Sequence, residues 1–210
     1  MPFGGTFETS LSNYLLMHYR RKNLRFAGGI TMKSIKKQYF YYELTFALLA
    51  IVLGTLFHFI YKWSGYHYLI AFISPINEST WEHLKMFFFP FLFLTFIEYF
   101  LIGKNFSSFV TAKTIGCFAG LLFIIAFFYT YTGIIGTNYL AMDILTFVLG
   151  VLVCYFFSWY LSACKKMGNH TSNILCLCLL LLLAFFFAAF TNHTPNINLF
   201  KSIPSEVLKN

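Results

Sequence analysis

The sequence has 210 residues, of which 59% are hydrophobic and only 10% charged, and its mean hydropathy is +0.69. A soluble domain carries ~45–50% apolar and ~25% charged residues, so water is excluded as the solvent for most of this surface and lipid is implied. The formal net charge of +8 does not point to nucleic acid: seven of the fifteen basic residues crowd positions 20–37, beside the first apolar run, where they read as membrane-flanking charge.

Residues 1–35 are polar and basic and hold no apolar core, so they read as a disordered cytoplasmic extension rather than a signal peptide. Met32-Lys33-Ser34-Ile35-Lys36-Lys37 has the character of a bacterial start ahead of a first membrane helix. A wrongly chosen upstream start codon is therefore the alternative for residues 1–31. Residues 36–200 form the membrane domain, with apolar runs at about 44–61, 86–102, 114–132, 139–161 and 173–190. Each is of the ~17–25 residues that cross a bilayer. Pro90 and Glu98 are expected to break the second. A run at about 66–73 is too short to cross and is expected to lie at the interface or to re-enter. The runs show no period-two alternation, and lipid tolerates no unsatisfied backbone, so the expected fold is all-α, a bundle of five transmembrane helices. Residues 201–210 make a polar C-terminal tail.

Lysine and arginine set the expected orientation. Arg20, Arg21, Lys22, Arg25, Lys33, Lys36 and Lys37 precede the first span, and Lys104, Lys113, Lys165 and Lys166 fall in loops on the same side. The other side carries Lys62, Lys85, Lys201 and Lys209. The expectation is a multi-pass protein of the cell membrane with a cytoplasmic N-terminus and an extracytoplasmic C-terminus.

One segment concentrates the chemistry: Ser74-Pro75-Ile76-Asn77-Glu78-Ser79-Thr80-Trp81-Glu82-His83-Leu84-Lys85. In this orientation it lies outside, level with His58 near the end of the first span, Asp143 at the start of the fourth and His193 after the fifth. Glu43 and Glu98 belong to the inner half. Ionisable groups at membrane depth are functional candidates. On a helix turning 100° per residue, Asn77, Glu78, Trp81, Glu82 and Lys85 cover one broad face, with Ser79 and His83 on the adjoining one. Glu78 and Glu82 are then neighbours able to share a proton, bind a cation or clamp Lys85. With His58 or Asp143 from another span, a divalent metal finds three or four ligands, Glu78, Glu82 and His83 foremost.

Structural roles compete for the same residues. Ser79-x-x-Glu82 is a capping box, Asn77 and Pro75 suit a helix start, and acids at 78, 82 and 143 favour the helix dipole. Lys85 can snorkel, and Trp63, Tyr66, Tyr68 and Trp81 can form an interfacial belt. Glu98 is expected to pair with Lys104 or to reach cytoplasmic water. Cys117, Cys154, Cys164, Cys176 and Cys178 read as small buried hydrophobes without disulfide or metal. Gly116-x-x-x-Gly120 permits close helix packing, within the chain or in a homodimer.

His58 through Tyr61, Trp63-Ser64-Gly65, Pro75 through Lys85, Ile97-Glu98-Tyr99, Phe128 through Gly133 and Asp143-Ile144 together resemble an uncharacterised bacterial family of small multi-span membrane proteins, domain of unknown function 6512, over about residues 36–200. The Asn-Glu-Ser-x-Trp-Glu-His-x-Lys core is the specific part. The resemblance implies a membrane protein with a shared polar site and supplies no activity. The family's end resembles Phe-x-Phe-Asn-Pro-Pro followed by Pro-Leu-Phe. Phe190-Thr191-Asn192-His193-Thr194-Pro195 departs from it, keeping one proline and Leu199-Phe200, which implies a changed ligand or lost activity if that tail lines the pocket.

Three functions fit. The preferred one is binding or transport of a small molecule or ion in the outer pocket. The second is a membrane-embedded, metal-dependent enzyme acting on a lipid-linked or envelope substrate, with Glu82 or Glu78 as base and His83 as acid or ligand. No Ser-His-Asp spacing, His-Glu-x-x-His or P-loop supports it. The third is a non-catalytic assembly or sensor module. The expected partners are the lipid bilayer and an unidentified small ligand or ion, with a homodimer as an option and no nucleic acid; the one cofactor considered is a divalent metal.

Overall fold

The computed structural model describes residues 32–165 and 168–201. The expected extension up to residue 31 and the tail from residue 202 lie outside them, and the contacts below join residues from Tyr39 onward. The described helices are α1 (Met32–Trp63), α2 (Tyr68–Ala71), α3 (Thr80–Leu101), α4 (Phe109–Ile135), α5 (Leu140–Trp159) and α6 (His170–Asn192). A π-helical turn, Tyr160–Lys165, prolongs α5, and no strand occurs among the described residues. All but α2 are long and apolar enough to cross a membrane. Their burial runs opposite to that of a water-soluble fold: α6 is the most apolar, yet only 17% of its apolar stretch is buried. In water its leucines would be inside.

The helix ends follow local chemistry. After α1 the chain enters the left-handed region at Gly65 (φ +68°) and Tyr66 (φ +63°). There the Gly65 N–H donates to the Lys62 carbonyl and the Tyr66 N–H to that of Tyr61, the two bonds of a Schellman stop. The chain then folds back. Ser74 Oγ donates to the Phe57 carbonyl of α1 at 2.5 Å, and the short run foreseen here supplies the single turn α2. At the start of α6, Asn169 and Ser172 form a reciprocal capping box.

The predicted break in the second span does not occur, and α3 runs from Thr80 to Leu101 through Pro90. The polar motif itself makes its first turns, which is why it starts ahead of residue 86. Pro90 has no N–H for the Met86 carbonyl. Gly54 of α1 lies against that oxygen, so close that a Cβ at 54 would stand 2.7 Å from it. The missing side chain lets one helix backbone approach the carbonyl the other leaves free, as small residues do in lipid.

The most extensive helix pairing is α4 on α5. Gly116 faces the Cys154 carbonyl, and a Cβ on Gly120 would stand 2.8 Å from the carbonyl of Gly150. The small-residue motif therefore packs within the chain. Around it Phe46, Ala47, Ala50, Phe87, Phe88, Phe91, Cys117, Leu121, Val151, Cys154, Leu180 and Phe187 form the core.

Candidate functional site

Ser79 is the N-cap of α3, its Oγ accepting from the Glu82 N–H at 3.4 Å. The Ser79 N–H in turn donates to Asn77 Oδ1 at 2.9 Å, so Asn77 closes the turn ahead of the helix. Asn77 and Glu78 thus precede the helix, and the helical face predicted for them does not form. Only half of the capping box is made, because the Glu82 carboxylate is engaged elsewhere.

Glu82 and Lys85 are 1% and 0% exposed. Glu82 Oε2 accepts from Lys85 Nζ at 2.7 Å and from the Ile76 N–H at 3.0 Å. Lys85 Nζ also donates to the Ala71 carbonyl at 2.9 Å and to Thr191 Oγ1 at 2.7 Å. All three ammonium protons are used. This pair joins the fold-back segment and α6 to α3 and has no donor left for a ligand. Lys85 does not snorkel.

Glu78 turns the other way. Its Oε2 lies 3.2 Å from His83 Nε2, with the two side chains 56% and 36% exposed. The His83 hydrogen bond holds the Glu78 carboxyl below the usual carboxylate range, against its partial burial, which acts in the opposite sense. The other ring nitrogen, His83 Nδ1, lies 3.0 Å from the Ser79 carbonyl. With Nδ1 toward a carbonyl and Nε2 toward a carboxylate, the ring is placed to carry a second proton or to share a cation with Glu78. His58 of α1 completes the group, its ring centroid 5.4 Å from that of His83 and its buried Nδ1 without a hydrogen-bond partner. One ligand atom each from His58, Glu78 and His83 lie within 4.8 Å of one another. Of the residues expected to ligate a metal, Glu78, His83 and His58 come together, while Glu82 is tied to Lys85.

The other predicted residues sit apart. Asp143 accepts from the Tyr131 hydroxyl and, at 3.2 Å, from Asn138 Nδ2, binding α4 to the start of α5. Trp81 packs on Phe187, Phe190 and Phe200 at centroid distances of 4.6, 5.6 and 4.9 Å. His193 is exposed beyond α6. A recess of about 420 Å³ lies nearby, but Phe57, Ile73, Phe89, Leu92, Phe93 and Phe96 line it and bring no polar chemistry.

A charged group at the far end of the helices was not foreseen. Glu98 pairs with Lys113 at 2.6 Å, not with Lys104, and Lys113 also reaches Glu43 at 2.7 Å. Lys113 read as a loop charge because it stands just ahead of an apolar run, but α4 begins at Phe109 and carries it inside.

The model of the DUF6512 family, described as a family of unknown function, matches residues 30–205. No curated protein and no solved structure matches the chain.

Proposed function

This chain belongs to the DUF6512 family, whose function is unknown, and we propose that it is a multi-pass membrane protein that binds a divalent metal ion through His58, Glu78 and His83. The observation that carries this reading is the 3.2 Å separation of His83 Nε2 and Glu78 Oε2. Two ligands on ~2.0 Å bonds at a tetrahedral angle stand about 3.3 Å apart, so the pair is already spaced for one ion. The unpartnered His58 nitrogen supplies a third ligand.

Two imidazoles and one carboxylate suit zinc, and three protein ligands leave a fourth position for water or a small molecule. The exposure of Glu78 and His83 opens that position to the aqueous side. The lysine and arginine distribution supports a cytoplasmic N-terminus in the cell membrane and an extracytoplasmic site. Glu82 and Lys85 serve as the internal brace beneath it, and Asn77 and Ser79 hold the turn that aims Glu78.

The test is the metal content of detergent-purified protein supplied with zinc. One ion per chain in the wild type, lost in His58→Ala and in His83→Ala while the helical circular dichroism is kept, supports the site. A metal-free wild type, or metal retained by both variants, overturns it.

A further inference from the structure

Glu43 of α1, Glu98 of α3 and Lys113 of α4 meet at 2%, 0% and 0% exposure. Lys113 Nζ lies 2.7 Å from Glu43 Oε2, 2.6 Å from Glu98 Oε2 and 4.4 Å from the centroid of the Tyr155 ring. Two carboxylates against one ammonium leave a negative charge uncancelled if all three groups ionise. The other titratable groups facing the cluster are Tyr39 of α1 and Cys154 and Tyr155 of α5, with the Ser158 hydroxyl beside them. None is a cation. A net charge sealed between helices in lipid is heavily penalised, and a proton is the smallest ion that removes it.

The hydrogen bonds distinguish the two acids. Glu43 uses both oxygens as acceptors, Oε2 from Lys113 and Oε1 from Ser158 Oγ at 2.8 Å, which is the pattern of an ionised carboxylate. On Glu98 neither oxygen accepts a hydrogen bond, although Oε2 stands 2.6 Å from Lys113 Nζ. Two carboxyls held against one ammonium in a buried site share a proton more readily than both ionise.

We propose that Glu43 and Glu98 bind one exchangeable proton between them, carried on Glu98, as a second ion site at the opposite end of the helices from the polar motif. Neutrality fixes the proton count, and the contrast between the two hydrogen-bonded Glu43 oxygens and the two unbonded Glu98 oxygens assigns it to Glu98. Glu98 is one turn from the end of α3 and Lys113 one turn from the start of α4, so exchange with water on that side needs only a local opening. The site shares no residue with the metal group and stands or falls separately from it.

Infrared spectroscopy of the full chain in detergent at neutral pH, in H2O and in D2O, reads the proton directly. With only seven acidic residues in the sequence, protonated carboxyls are few. The expected result is a protonated-carboxyl C=O band that shifts in D2O and disappears in Glu98→Gln. It also disappears in Glu43→Gln, where Glu98 becomes the sole counter-ion of Lys113 and ionises. Glu98→Gln keeps the neutral group the site calls for, so its melting temperature at neutral pH stays at the wild-type value. A wild type without such a band, a band that does not shift in D2O, or one that survives Glu98→Gln overturns the proposal.

Discussion

Glu78 and Glu82 turn their carboxylates to different partners: Glu78 Oε2 meets the His83 ring at 3.2 Å, and Glu82 Oε2 takes the Lys85 ammonium at 2.7 Å. Ser79, the N-cap between them, is the reason, since it leaves Glu78 outside the helix and Glu82 within it. One polar motif thus divides into an open pair and a closed one, and the two halves respond differently to mutation.

Lys85→Met leaves the buried Glu82 carboxylate without its counter-charge and is expected to cost about 3–5 kcal/mol. Unfolding in detergent measures it. Adding Glu82→Met to Lys85→Met recovers part of the loss, because the orphaned charge is then gone. A single variant as stable as the wild type would show that the pair does not brace the fold.

Zinc stabilises only if the folded site binds it. At a hundredfold excess over the dissociation constant the gain is about 2.7 kcal/mol. The melting temperature should rise on adding zinc, fall back with a chelator, and stay unmoved by either in His58→Ala.

Glu78 gives a pH dependence with a definite sign. Its folded carboxyl lies below the usual range because of His83, so its contribution is complete above the ordinary carboxylate range and fades as pH falls through the depressed value. Metal-free wild type and Glu78→Gln should therefore differ in melting temperature near neutrality and converge in acid. The difference is small, since the side chain is 56% exposed. Curves that diverge in acid would contradict the assignment.

Gly54→Ala places a methyl 2.7 Å from the Met86 carbonyl oxygen and against the Phe147 ring. Overpacking of this kind costs about 1–3 kcal/mol. Gly133→Ala is the control, since nothing lies within 4 Å of a Cβ there and alanine favours a helix by about 0.5–1 kcal/mol. Equal stabilities for the two variants would remove the argument for close approach at Gly54.

The five spans were legible because apolar length is a local property, readable without knowing what packs on what. Register was not. Pro90 reads as a break until Gly54, from another helix, is seen against the carbonyl it frees. The site was legible as a segment and misread as a face: 100° per residue applies from Thr80 on, while Asn77 and Glu78 precede the cap. Thr191 carried one visible signal, its place in the tail that departs from the family pattern, but a hydroxyl accepting from an ammonium 106 positions away leaves no local trace. Lys113 was hidden by an error of boundary, since a helix that starts at Phe109 instead of residue 114 turns a loop charge into a buried one.

The bond from Lys85 to Thr191 also sets an order of biogenesis. The second span enters the membrane carrying an ammonium group, yet one of its three acceptors lies on the fifth, which the ribosome makes after it. The first four spans are thus inserted with their motif incomplete. It closes only when the fifth span arrives, so a chain stalled or cut before residue 191 would leave the Lys85 ammonium one acceptor short.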